Sequence, residues 1–192
     1  MSSFRPQPLS PLRTVFLDRD GVVNRKMPEG EYVTRWEQFE LLPGVAEAIG
    51  RLNRAGVRAI VVSNQRGVAL GRLTESDLNH LHAQLANVLE AEGVYLDAIF
   101  YCPHEKNSCT CRKPLPGMFE QARAAFPEIQ AANSVMIGDS LSDIRFGADL
   151  GMRTIFIAGD PTRQGPGALE AARLAGQTAE NLLDAVKILL DA

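Results

Sequence analysis

Cysteine is scarce in this chain. Among 192 residues there are three, all between positions 102 and 111. An odd number cannot close a disulfide framework, and such tight clustering suggests a ligand set instead. No stretch approaches the ~20 consecutive apolar residues that cross a bilayer, so no transmembrane helix is expected. A net charge of −3 provides no long-range field to draw in nucleic acid or an anionic membrane. Residues 1–12 carry Pro6, Pro8 and Pro11 but no apolar h-region. That stretch therefore reads as a flexible tail rather than a secretory signal. Internal repeats and low-complexity blocks are absent. What remains, 45% hydrophobic and 22% charged, is ordinary for a soluble globule, and its length suits one domain over 13–192.

Strand and helix patterns alternate. Short apolar, β-branched runs at 13–17, 57–62, 97–101, 134–138 and 153–157 read as buried strands. Helical patterns follow at 43–55, 74–92, 117–125, 141–150 and 181–190. Thr74 with Asp77 forms an N-terminal box, and Gly56 and Gly93 stand just past two helix ends. Residues 159–167 read as a loop. This alternation implies an α/β fold, a doubly wound parallel sheet covered on both faces. The segment 24–42 has no clean period. In it Trp36 and Phe39 are expected to pack the segment down, with Tyr32 left open.

Chemistry concentrates where the strands end. The first run closes in Asp18-Arg-Asp20-Gly21. Alone, this fits a capped turn as well as a site, but the carboxyl ends of strands are where open α/β sheets bind ligands. The fourth run ends in Gly138-Asp139, with Asp143 in the first turn of the next helix, near its positive end. The second ends in Ser63-Asn64-Gln65-Arg66-Gly67, a turn whose N–H groups can cradle phosphate. Arg112 and Lys113 place two cations just before a helix start.

Taken in order, Asp18-x-Asp20, Ser63, Lys113 and Gly138-Asp139-x₃-Asp143 resemble the four motifs of the haloacid dehalogenase superfamily of phosphotransferases. The resemblance runs from about Val15 to Gly151. Phe16-Leu-Asp-Arg-Asp-Gly, Val62-Ser-Asn-Gln-Arg-Gly, Cys102-Pro-His104 and Cys111-Arg-Lys-Pro-Leu-Pro-Gly narrow it to one branch. That branch holds the D-glycero-D-manno-heptose 1,7-bisphosphate 7-phosphatases and the histidinol-phosphate phosphatases. The resemblance implies a Rossmann-like, essentially capless phosphatase domain with an aspartyl-phosphate intermediate. It makes Asp18 the nucleophile and Asp20 the acid and base. Ser63 and Lys113 would hold the transferring phosphoryl group. Mg²⁺ would rest on the Asp18 carboxylate, the Asp20 carbonyl and Asp139, with Asp143 supporting from behind. Arg112, with its planar fork, is the candidate for a second phosphate. Asn64, Gln65, Arg66 and Ser140 are further candidates for substrate contact. Several heptose phosphatases carry a lysine where this chain has Ser140, which removes one expected cation.

Cys102, His104, Cys109 and Cys111 offer three soft thiolates and an imidazole, a donor set that suits tetrahedral Zn²⁺. Four protein ligands leave no open position, so the metal would be structural and would set the loop that leads into Arg112-Lys113. His80 and His82 read as solvated positions on a helix.

The expected reaction is Mg²⁺-dependent removal of the 7-phosphate from D-glycero-D-manno-heptose 1,7-bisphosphate, with histidinol phosphate as the alternative substrate. A phospho-receiver module and a zinc-stabilised binding module are the readings from other classes. The first does not account for an Asp20 two residues beyond the nucleophile, and the second does not account for four intact motifs. A cytoplasmic monomer acting on a small sugar phosphate, without nucleic-acid or membrane partners, completes the expectation.

Overall fold

The computed structural model describes residues 12–191. The expected tail over 1–12 lies outside them apart from Leu12, which packs against the core. Six strands form one parallel sheet: β1 (Thr14–Leu17), β2 (Arg58–Asn64), β3 (Ala98–Cys102), β4 (Ser134–Gly138), β5 (Arg153–Ile157) and β6 (Gln177–Ala179). Their order is β3-β2-β1-β4-β5-β6. The chain winds outward from β1 in one direction and from β4 in the other, so the topological switch lies between these two strands, where a ligand crevice opens. Leu17 is in register with Val61 of β2 and Ile137 of β4, which brings the ends of all three strands to one rim.

Alternation along the central strands divides the core. Val15 and Leu17 point to one face, where α1 (Val45–Arg54), α3 (Glu75–Ala91) and α7 (Leu182–Leu190) pack. Phe16 points to the other, between Phe119 of α4 (Gly117–Ala125) and Phe146 of α5 (Leu141–Asp149), with ring centroids 5.8 and 6.5 Å away. Burial on both faces explains why these strands read as unbroken apolar runs. The Thr74–Asp77 box at the start of α3 is formed reciprocally.

Three regular elements are absent from the sequence reading. The short α2 (Arg66–Ala69) and α6 (Ala168–Leu174) hold too few residues to display a helical period, and β6 is a three-residue edge strand, Gln-Thr-Ala. The loop at 159–167 contains one 3₁₀ turn, Pro161–Arg163. The segment after β1 is irregular except for a 3₁₀ turn at Trp36–Gln38, and Trp36 stacks on Phe39 at 5.0 Å, as expected of a packing pair. Among the described residues no separate cap domain covers the rim, and no helix is long and apolar enough to cross a membrane.

Candidate active site

Asp18 is the first residue beyond β1 and Asp139 the first beyond β4. Asp143 sits one turn into α5, where it closes a capping box with Ser140. Carboxylate oxygens of all three lie within 4.8 Å of one another. Such crowding raises the free energy of the ionised forms. Burial, then the charge of Asp143, pushes Asp18 up to about 7 against the pull of Lys113. Burial likewise lifts Asp139 to about 6, although Lys26 opposes the shift.

Lys113 holds the cluster together. Its Nζ donates to Asp18 Oδ1 at 2.7 Å and to the Val62 carbonyl at 2.6 Å, and lies 2.6 Å from Asp143 Oδ1. Burial alone would depress this lysine, but Asp143 and Asp18 overcome it and hold the ammonium above its ordinary value.

Asp20 lives in the opposite environment. Arg19 Nη2 donates to both its oxygens at 3.0 Å, Asn24 Nδ2 to one at 3.0 Å, and Gln65 Nε2 to the other at 2.8 Å. Burial would raise this carboxyl too, but the Arg19 charge and these donors outweigh it and hold it below the usual range. Gly21 then turns the chain at φ 98°, and a Cβ there would collide with the Asp139 carboxylate. Only glycine fits both demands.

These groups line a cavity of about 450 Å³ together with Ser63, Arg112 and Tyr32. One nitrogen of Arg112, Nη1, has no hydrogen-bond partner among the described residues. The other candidates for substrate contact have protein partners. Gln65 Nε2 bridges Asp20 and the Ser63 hydroxyl. Both ends of the Asn64 amide grip the Lys113 backbone. Arg66 Nε is paired with Glu105, and the Ser140 hydroxyl with Asp143.

Four residues at the site were missed by sequence reasoning: Lys26, Asn24, Arg19 and His82. Lys26 Nζ donates to Asp139 Oδ2 at 2.7 Å from an irregular segment that offers no period to read. His82 corrects an expectation. It is not solvated but 7% exposed, and contacts Arg19. Leu78, Leu81, His82, Leu85 and Leu89 all lie on the buried face of α3, so the i, i+3, i+4, i+7 spacing was the available signal. His80 is exposed, as expected.

Two sites have the donor chemistry of a cation site. Asp139 Oδ1 is buried without a hydrogen-bond partner among the described residues while the other oxygen holds Lys26, which leaves one carboxylate oxygen beside Asp18 for a hard cation. In the 102–111 loop, Cys102 Sγ is 3.5 Å from Cys109 Sγ, and Cys109 Sγ is 3.4 Å from Cys111 Sγ. His104 Nδ1 lies 3.7 Å from Cys102 Sγ and 3.2 Å from Cys111 Sγ. No disulfide joins the thiols. A tetrahedron with bonds of roughly 2.3 Å has edges of about this length.

The comparisons agree with this geometry. A family model described as HAD-hydrolase-like matches residues 110–185. The D-glycero-alpha-D-manno-heptose-1,7-bisphosphate 7-phosphatase of Mycobacterium tuberculosis is 41% identical over 68% of this chain and 68% of its own. The D-glycero-beta-D-manno-heptose-1,7-bisphosphate 7-phosphatase of Vibrio cholerae is 40% identical over 79% of this chain and 85% of its own. The D,D-heptose 1,7-bisphosphate phosphatase from B. bronchiseptica, solved with magnesium and phosphate, superposes with a TM-score of 0.80 at 31% identity, covering 94% of this chain and 99% of that one. The chain belongs to the heptose bisphosphate phosphatase family of haloacid dehalogenase-like hydrolases.

Proposed function

We propose that this protein is a Mg²⁺-dependent phosphatase that removes the 7-phosphate of D-glycero-D-manno-heptose 1,7-bisphosphate. The observation that carries the reading is the pairing of Asp18 with Asp20. One carboxylate is fixed by Lys113 at a strand tip, and another, two residues on, is held by separate donors in the same cavity.

Asp18 attacks the phosphorus in line. As the P–O bond to the sugar breaks, Asp20 gives its proton to the departing alkoxide, leaving an aspartyl-phosphate. The charge that substrate brings beside Asp20 raises its low pKa and lets it carry that proton. In the second half-reaction Asp20 takes a proton from the water that attacks phosphorus, and Asp18 is released. The Ser63 hydroxyl and Lys113 ammonium bind the phosphoryl oxygens, while Gln65 ties Ser63 to Asp20 so that both groups move as one. Asp18, the Asp20 carbonyl and Asp139 would hold Mg²⁺, which supplies positive charge to the phosphoryl oxygens in the transition state. Asp143 keeps Lys113 in place.

Arg112, a cationic residue of the cavity lining, is the contact for the distal phosphate. It favours a bisphosphate over histidinol phosphate, whose amine is cationic. Cys102, His104, Cys109 and Cys111 would bind structural Zn²⁺ and thereby set the start of the Arg112-Lys113 segment. The enzyme is proposed to work as a cytoplasmic monomer, with 13–192 as its phosphatase domain.

Phosphate release with Mg²⁺, measured on both C1 anomers of the heptose bisphosphate and on histidinol phosphate, tests the reading. A kcat/KM for one heptose anomer at least about a hundredfold above histidinol phosphate is expected, about 2.7 kcal/mol of transition-state discrimination. The reverse order overturns the substrate.

A further inference from the structure

Arg19 is fully buried, and none of the steps above uses it. Its guanidinium lies between two structures. On one side Nη2 donates to both oxygens of Asp20. On the other, Nη1 lies 3.2 Å from Nε2 of His82, a residue of α3. A guanidinium cannot accept a hydrogen bond, so Nε2 is the acceptor and the imidazole proton sits on Nδ1. Burial, then the charge of Arg19, pushes His82 down to about 3, which keeps it a neutral acceptor at any ordinary pH. The ring rests against Tyr101 at 5.5 Å, and the Tyr101 hydroxyl, with one proton to give, lies 3.0 Å from Asn79 Oδ1 and 3.2 Å from Glu75 Oε2, both on α3. Phe39 lies under the guanidinium, 5.7 Å from Cζ.

Of the three side chains that donate to Asp20 among the described residues, only Arg19 reaches both oxygens, through the single nitrogen Nη2, and so centres the carboxylate between them. Such a contact positions its partner only if the guanidinium is itself fixed. Among the described residues Nε of Arg19 has no partner, and Asp20 and His82 are the polar side chains its guanidinium contacts.

We propose that His82 is a positioning residue for catalysis, fixing Arg19 so that Arg19 holds Asp20 where it can exchange a proton with the ester oxygen. This rests on the phosphatase reading given above but not on which sugar is cleaved. The side chain acts through Arg19 and touches no reacting atom.

The consequence is selective. An alkoxide leaving group needs the proton, whereas 4-nitrophenolate does not. kcat/KM reports only steps up to formation of the aspartyl-phosphate, so it isolates the acid role of Asp20 from its later role as base. His82→Leu should lower kcat/KM for heptose 1,7-bisphosphate about tenfold or more and that for 4-nitrophenyl phosphate less than about twofold. His82→Gln, whose amide oxygen reaches the place of Nε2, should restore most of the loss. His82→Asn, one atom shorter, should not. If His82→Leu does not fold, the Gln and Asn variants carry the comparison. Equal losses on both esters, or Asn and Gln variants that behave alike, would overturn the proposal. If the wild-type protein cleaves histidinol phosphate rather than the heptose bisphosphate, only the substrate reading fails. The same ratio is then taken on histidinol phosphate, also an alkyl ester.

Discussion

The two clusters of metal-binding side chains are built in opposite ways. Asp18, Asp139 and Asp143 come from distant parts of the chain and meet because β1 and β4 are neighbours in the sheet. Backbone ladders place them, and Lys113 already neutralises part of their charge. Cys102, His104, Cys109 and Cys111 begin at the end of β3 and continue through a loop with no helix or strand before α4. The ends of that loop are anchored, with Cys102 and Cys111 buried in the core, the Ala69 N–H donating to the Pro103 carbonyl and the Gly117 N–H to that of Thr110, whereas residues 106–108 are exposed and the Arg66–Glu105 ion pair ties down the residue before them. The carboxylate site is thus organised by the fold and would use a cation for chemistry. The thiolate site would use a cation to order the exposed middle of a loop whose ends the fold already holds.

The strongest way to break this comparison is at Asp18. Asp18→Asn should reduce turnover by more than about 10⁴-fold. Yet it should not lower the melting temperature of the metal-free protein, because it removes one of three mutually repelling buried carboxylates. A large drop in melting temperature would show that the charge holds the fold together. Next comes the loop. Cys109→Ser should abolish zinc in elemental analysis, lower the melting temperature and cut kcat/KM by about 10- to 100-fold through loss of the Arg112-Lys113 position. Full activity in a zinc-free preparation would remove the claimed dependence. Arg112→Ala should raise KM for the bisphosphate about tenfold and leave heptose 7-phosphate unchanged, because only the former presents a second phosphate.

The smallest effect sharpens the comparison by pH. The folded-state pKa of Asp18 is raised to about 7 and that of Asp139 to about 6. A raised value means the protonated form favours the fold, so stability from these groups is full below their unfolded values near 4 and is lost as pH rises through about 6 to 7. A bound cation competes with those protons. The gain in melting temperature on adding Mg²⁺ should therefore be larger at pH 8 than at pH 5. The gain on restoring Zn²⁺ should rise separately and vanish in the Cys109→Ser protein. Equal Mg²⁺ gains at both pH values would contradict the crowded-carboxylate account.

The same contrast explains what was readable in the sequence. Strands β1, β2, β4 and β5 are legible because burial on both faces demands apolar runs, and the half-buried edge strand β3 keeps an apolar and aromatic run, whereas β6, with Gln177 and Thr178 exposed, has none. Asp18, Asp139 and Asp143 stand out because a carboxylate just past an apolar run violates the local pattern. The Cys/His loop stands out by composition alone. Residues that act by reaching across the fold leave weaker signs. Lys26 reaches Asp139 from a segment with no period. His82 and Arg19 meet only because α3 packs beside the β1 end, although the apolar stripe of α3 did mark His82 as inward-facing. Gln65 and Asn64 show the limit of motif reading, since their amides are committed to Asp20, Ser63 and the Lys113 backbone.

The most direct test of the central claim is a rapid-quench single turnover with heptose bisphosphate labelled in the 7-phosphate, followed by peptide mapping. The account predicts a transient, hydroxylamine-labile label on the peptide containing Asp18. That label should persist longer in Asp20→Asn, where its hydrolysis lacks a base. Substrate turnover with no protein-bound label in either protein would contradict it.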